Sequence, residues 1–239
     1  MRKFLKRSLD TYLTSRTFES KRENALMYND GQGYIHYQKG SLIFYALSYY
    51  IGEKNLNKSL SKYVNKVAFQ EPPYTTTIDL VNHVKEVTPD SLNYLIKDMF
   101  ETITLYQNRI VSSNYKKLEN GKYQVDIEFK VSKYRNDEKG KIFYGNEKRD
   151  SISYKTEEMR KAEYSVFLSD YIDIGIFGEN EDEEEVELYL KKHKINSIHN
   201  KISIVVDKEP IEVGVDPYNK LIDTNSEDNR KKITTEKIQ

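Results

Sequence analysis

Tyr37-Gln38-Lys39-Gly40 is the stretch of this 239-residue sequence whose residue types and spacing could do chemistry. A tyrosine hydroxyl can donate a hydrogen bond to an oxyanion as it forms, and one preorganised donor contributes roughly 3 kcal/mol to a transition state. The other candidates are weaker. The four histidines are His36, His83, His193 and His199, and none has the i, i+4 partner that puts two imidazoles on one helix face. His193 and His199 are six apart at a strand and turn, without a supporting acidic pattern, so no metal is assigned to them. The acidic run 179–187 lacks the sixth-position glycine and the alternating ligands of an EF-hand loop. It reads as a solvated surface segment, with a calcium-tuned surface site as the minor reading. No glycine-rich phosphate loop, nucleophile elbow or kinase signature occurs. By composition alone Tyr37 is one of twenty tyrosines and reads as a packing residue.

The element that must position Tyr37 is a helix. Residues 42–51 are almost wholly apolar, contain no proline and stop at Gly52, which suits a left-handed C-terminal position. Apolar side chains fall on every side of this run, so the helix should be buried. At 3.6-residue spacing Tyr37, Gly40, Ser41, Phe44 and Ser48 share one small, polar face. Other helices surround it. Leu5, Leu9, Tyr12 and Leu13 keep helical spacing almost from residue 1, and a start in mid-pattern without a cap implies a chain cut from something longer. Leu56, Leu60, Tyr63, Val64 and Val67 form an amphipathic stripe that ends at Glu71-Pro72-Pro73. Thr76 or Thr77 caps a helix carrying Leu80, Val81, Val84 and Val87 inward. After Thr88-Pro89 another helix places Leu92, Leu95, Ile96, Met99, Phe100 and Ile103 on one side.

Near Thr104 the period changes from 3.6 to 2. Tyr123, Val125, Ile127, Phe129 and Val131 alternate with polar residues as a half-buried strand. Asn120-Gly121 signals a two-residue hairpin that pairs it with 110–117. Further alternating runs at 164–168, 172–176, 186–190, 202–206 and 211–215 bring the total to about seven strands. The expected class is therefore α+β: a helical segment, residues 1–106, followed by an antiparallel β-sandwich, residues 107–222. Residues 135–163, dense in charge, read as an exposed loop or long hairpin. Residues 223–239 read as a polar tail that frays.

Composition narrows the function. The 38 basic and 38 acidic residues cancel, so no bulk attraction to nucleic acid or an anionic membrane is expected. With no cysteine, disulfides and thiol chemistry are excluded. The longest apolar run, 42–51, is too short to span a bilayer, so the chain reads as soluble.

The segment Tyr37-Gln38-Lys39-Gly40, followed by Ser41-Leu42-Ile43-Phe44-Tyr45-Ala46-Leu47, resembles the Y-x-K-G-small-apolar motif of aminopeptidase N-like zinc metallopeptidases, the gluzincins of the membrane alanyl aminopeptidase type. The likeness continues through Tyr50-Ile51-Gly52-Glu53-Lys54 and Pro73-Tyr74-Thr75-Thr76-Thr77. Phe100-Glu101-Thr102-Ile103-Thr104-Leu105-Tyr106, Asp173-Ile174-Gly175-Ile176-Phe177-Gly178 and Asp216-Pro217-Tyr218-Asn219-Lys220-Leu221-Ile222-Asp223 are similar to the end of members joined to a permease-like membrane region. The resemblance implies that residues 1–106 are the C-terminal part of a thermolysin-like catalytic domain. It implies a zinc-activated water attacking the scissile carbonyl, a motif glutamate as general base, and Tyr37 as the oxyanion-stabilising tyrosine. Lys39 and Gly40 match the motif and take packing and positioning roles. The sequence holds no HExxH, no distal zinc glutamate and no amine-binding motif, so zinc belongs to the parent protein and this chain supplies none of its ligands. The implied partners are a peptide substrate and the N-terminal remainder of the peptidase, with no nucleic acid and no membrane contact by this chain. The implied parent is membrane-associated or extracytoplasmic, and this piece alone is inactive. The alternative is a non-catalytic helical and β-sandwich interaction module.

Overall fold

The structure, a computed structural model, describes residues 2–144 and 166–235. The chain forms two compact units. The helical unit takes residues 2–105, 135–143 and 220–222, and the sheet unit takes 106–134, 144, 166–219 and 223–235.

In the helical unit, α1 (Arg2–Thr17) buries Leu5, Leu9 and Tyr12, which follow one another at i, i+4 and i+7 on one face. A 3₁₀ turn (Leu26–Tyr28) and a π-helical turn (Tyr34–Lys39) follow, and the π turn runs unbroken into α2 (Gly40–Ile51). Gly52 ends α2 at φ +88, a backbone angle that only glycine adopts freely. α3 (Glu53–Val67) buries Leu56 and Ser59, whereas Val64, expected inward, is exposed. The reason is the contact with α4 (Thr77–Val87): Ser59 Oγ donates to the His83 carbonyl at 2.6 Å, which turns the buried edge of α3 toward Ser59. α4 opens on Thr76, whose backbone N–H donates to the Asp79 carboxylate at 2.8 Å, and buries Val81 and Val84. The helix expected after Pro89 is a succession of a 3₁₀ turn (Asp90–Leu92), the short α5 (Asn93–Ile96) and a second π turn (Lys97–Glu101). It still buries Leu92, Leu95, Ile96, Met99 and Phe100. No described helix is long and apolar enough to cross a membrane.

The strands are β1 (Ile103–Lys117), β2 (Tyr123–Asn136), β3 (Ile142–Tyr144), β4 (Asp170–Glu179), β5 (Glu185–Ile195), β6 (His199–Val206), β7 (Glu212–Val215), β8 (Arg230–Lys232) and β9 (Thr234–Thr235). They make two sheets. One has the order β3-β2-β1-β9, with β6 also paired to β2, and the other has the order β5-β4-β7-β8. β2 with β6, β4 with β5, β4 with β7 and β7 with β8 pair antiparallel, while β9 joins β1 in parallel. The fold is thus α+β, helices followed by an antiparallel β-sandwich. Val125, Ile127, Phe129 and Val131 of β2 are all buried, as their alternation requires. β4 lies inside its sheet and is buried from Ile172 to Phe177 on both faces.

Four expectations need correction. The β1–β2 turn is longer than two residues: Leu118 N–H bonds to the Lys122 carbonyl and Gly121 N–H to the Leu118 carbonyl, with Gly121 at φ +81. The strand expected at 164–168 does not form over Val166–Leu168; both of those side chains are buried without strand pairing, and residue 164 lies outside the described residues. Of the charged stretch 135–163, residues 137–141 turn β2 into β3 as the hairpin reading expects, and only the exposure is corrected, since Arg135 and Asn136 are buried; residues 145–163 lie outside the described residues. Arg135 is drawn in by Asp98, 2.6 Å away, and both are buried. The expected frayed tail is structured as far as Thr235: Asp223 and Asn229 are buried, and β8 and β9 close the two sheets. Its polarity misled because Asp223 and the 224–228 loop bond to the backbone of β1.

Candidate functional site

Tyr37 stands on the π turn Tyr34–Lys39. Gly40 N–H donates to the Ile35 carbonyl five residues back, and this wider turn changes the register with which Tyr37 enters α2. The face expected from 3.6-residue spacing therefore breaks: Gly40 is buried, while Tyr37 is 71 % exposed. Ser41 and Ser48 spend their hydroxyls on the helix itself, donating to the carbonyls of Gln38 at 2.9 Å and Tyr45 at 2.7 Å. The Tyr37 ring lies 4.3 Å from the His36 ring at a 53° tilt. His36 Nδ1 is in turn 3.0 Å from Asn29 Nδ2. Among the described residues the Tyr37 hydroxyl has no hydrogen-bond partner, so it is available to a ligand.

The π turn is anchored on its other side. Ile35, Lys39 and Gly40 are all buried. Lys39 is 1 % exposed, and its Nζ lies 5.5 Å over the Tyr12 ring with no hydrogen-bond partner among the described residues. Burial pushes the Lys39 ammonium down to about 8, against the attraction of the Glu23 carboxylate. Glu23, also buried, accepts from the Tyr12 hydroxyl and from Arg16 at 3.0 Å (Nε) and 2.7 Å (Nη2). The Tyr34 ring stacks on Tyr12 at 6.0 Å, and its hydroxyl donates to Glu19 at 3.2 Å. Burial, with the charge of Glu23, holds both phenols well above the usual tyrosine range, so they stay protonated donors. A buried cluster of α1 and the 19–34 segment thus fixes one side of the turn and leaves the other, with Tyr37, facing out.

The four histidines do not converge. His36 is exposed beside Tyr37; His83 is buried in α4 with Nδ1 2.7 Å from the Asp79 carbonyl. His193 on β5 lies 2.7 Å from the Tyr189 hydroxyl, its pKa lowered by burial and then by Lys191, and His199 opens β6 opposite Lys130. Among the described residues no group of three or more His, Asp or Glu side chains could hold a metal ion. The residues around Tyr37 do not fit a zinc ion. The acidic run closes the β4–β5 hairpin: Asn180 Oδ1 accepts the Asp182 and Glu184 N–H groups at 3.1 and 2.8 Å. Glu185 pairs with Arg230 at 2.5 Å, and Glu187 accepts from the Tyr218 hydroxyl.

Comparison with protein-family models gives no match, and comparison with curated proteins gives none either. The motif residues stand close in the fold, Tyr37 outward and Lys39 and Gly40 inward. The cluster that anchors them was not legible in advance. Tyr12 and Arg16 carry an i, i+4 spacing, but Glu23 and Lys39 lie in polar stretches with no apolar period to mark them as interior.

Proposed function

We propose that this chain is the portion of an aminopeptidase N-like zinc metallopeptidase that supplies Tyr37 as the hydrogen-bond donor to the oxyanion formed when an N-terminal residue is released from a peptide. The observation that carries the reading is the pairing of motif and geometry. In Tyr37-Gln38-Lys39-Gly40 the third and fourth residues are buried in a fixed cluster, and the first presents to solvent a phenol without a partner among the described residues. An oxyanion donor must be held rigidly and yet be reachable, because preorganisation is what makes it stronger than water. On this reading the zinc ligands lie in residues outside this sequence, and no step is derived through the metal.

The test uses the protein expressed from its natural gene. Metal analysis should find one zinc per chain, and the protein should hydrolyse amino-acyl arylamides in a way a chelator abolishes. Absence of both overturns the reading. It would favour instead a non-catalytic interaction module, which one observation supports: Phe69, Tyr74 and Ile78 are exposed around the loop that joins α3 to α4.

A further inference from the structure

The sheet unit carries a polar cavity that the proposed chemistry does not use. It measures about 400 Å³ and is lined by Arg109, Lys130, Ser132, Asn225 and Asp228 among others. The strands explain why these groups meet. On β1 Arg109 is exposed between the buried Asn108 and Ile110, and on β2 Lys130 and Ser132 alternate with the buried Phe129 and Val131. Successive side chains of a strand point to opposite faces, so Arg109, Lys130 and Ser132 stand on the outer face of two neighbouring strands. The loop after Asp223 supplies the rest. The Asp228 carbonyl accepts the Ile110 N–H at 3.0 Å, which holds that loop against β1.

The charged groups of the lining lack direct partners. Among the described residues neither the Arg109 guanidinium nor the Lys130 ammonium has a hydrogen bond or a carboxylate at salt-bridge distance. Asp228 is the one carboxylate of the lining, and its Oδ1 is buried without a hydrogen-bond partner. Burial raises the Asp228 carboxyl above its usual range, with the charge of Arg109 opposing the rise. A buried carboxylate oxygen without a donor has lost its bond to water and gained none. The two cations beside it keep their water and can exchange it for the oxygens of an anion, which a guanidinium can bind with two parallel bonds.

The lining thus holds two positive groups and one negative group. It repels a bare cation. A simple anion would satisfy Arg109 and Lys130 but would bring Asp228 a like charge instead of a donor. The complement is a molecule with two acid groups and one ammonium. We propose that this cavity binds an acidic amino acid, its two carboxylates on Arg109 and Lys130 and its ammonium on Asp228. A cavity of this volume falls in the range of small-molecule sites. The proposal is independent of the role of Tyr37.

The experiment is a calorimetric titration of the full chain with L-glutamate and L-aspartate at fixed ionic strength, which keeps screening constant. Glutarate and succinate, the same diacids without the ammonium, and inorganic sulfate are titrated alongside. One saturable equivalent of an acidic amino acid is expected, with a Kd of about 1 mM or tighter. The matching diacid should bind about tenfold more weakly, and sulfate should not saturate. Arg109→Gln and Lys130→Gln should each weaken the amino acid about tenfold or more, the effect of losing a hydrogen bond to a charged group. Lys116→Gln, at an exposed position further along β1 and outside the lining, should leave binding unchanged. Asp228→Asn should reverse the preference: it removes the acceptor of the ammonium and, for the diacid, a like charge. A general loss of structure does not produce that reversal. The proposal is overturned if neither amino acid saturates at about ten times that concentration, or if diacid or sulfate binds as tightly. Binding that survives Arg109→Gln or Lys130→Gln, or a preference unchanged in Asp228→Asn, overturns it equally. If Asp228→Asn fails to fold, the amino acid against its diacid on the wild-type chain still decides.

Discussion

The ammonium of Lys39 lies over the ring of Tyr12, 5.5 Å from its centre, two residues along the same π turn from the exposed Tyr37. Cation–π attraction and the Glu23 carboxylate favour the charge, but burial without an acceptor outweighs them and lowers the Lys39 pKa to about 8. The consequence is a pH dependence with a definite sign. In the unfolded chain lysine titrates near 10.4. Between about pH 8 and that value the unfolded chain binds more protons, so stability rises with pH; below about pH 8 the full penalty of the buried charge is present. Lys39→Met keeps the length and removes the charge. The wild-type minus Lys39→Met difference in unfolding free energy, from urea denaturation, should climb by about 3 kcal/mol across that window. A flat difference would show that Lys39 is not buried as an ammonium.

Glu23 holds two cationic side chains and a phenol in the same interior. Glu23→Gln keeps the shape and removes the carboxylate that accepts from Arg16 and the Tyr12 hydroxyl and that attracts Lys39. Removing one partner of a buried pair costs about 3 kcal/mol, and the urea midpoint should fall accordingly. A change within about 0.5 kcal/mol, the size of an ordinary surface substitution, would place the cluster at the surface.

Gly40 invites the opposite outcome. Its backbone is helical, at φ −59 and ψ −45, and an added Cβ would meet the Ile35 carbonyl and Leu26 Cδ1 at 3.7 and 3.8 Å, ordinary contacts. Gly40→Ala should therefore raise stability by about 0.5–1 kcal/mol through helix propensity and a less flexible unfolded chain. Destabilisation would mean that the π turn needs glycine for a reason other than space.

Gly175 is a different case. A Cβ there would stand 2.8 Å from two ring carbons of Phe177 and 3.1 Å from Pro217 Cγ, and Phe177 is fully buried. Gly175→Ala should lower the urea midpoint by the equivalent of about 1–3 kcal/mol, the usual effect of overpacking. A neutral result would show that the Phe177 ring has room to move.

The helices and strands were readable wherever one period ran unopposed. Leu5, Leu9 and Tyr12 gave a helix face, and Val125 to Val131 gave a strand face, because apolar burial alone decides such positions. The sequence misled where polar groups bond to backbone across the fold. Ser59 drew α3 round by its bond to His83, and Asp223 turned a polar tail into an ordered edge of β1. At the candidate site Tyr37 was marked by its motif. Its π turn was not, since hydrogen bonding five residues back in place of four leaves no compositional trace. The same holds for Lys39, whose burial depends on Tyr12 and Glu23, residues far along the chain.

The central claim, that Tyr37 donates to an oxyanion, is tested most directly by Tyr37→Phe in the natural protein, with kcat and KM measured on an amino-acyl arylamide. Tyr37 is 71 % exposed and unpartnered among the described residues, so the urea midpoint should not change. The loss of one preorganised donor should lower kcat about 100-fold or more and leave KM nearly unaltered. An unchanged kcat would contradict the account and return Tyr37 to the other surface tyrosines.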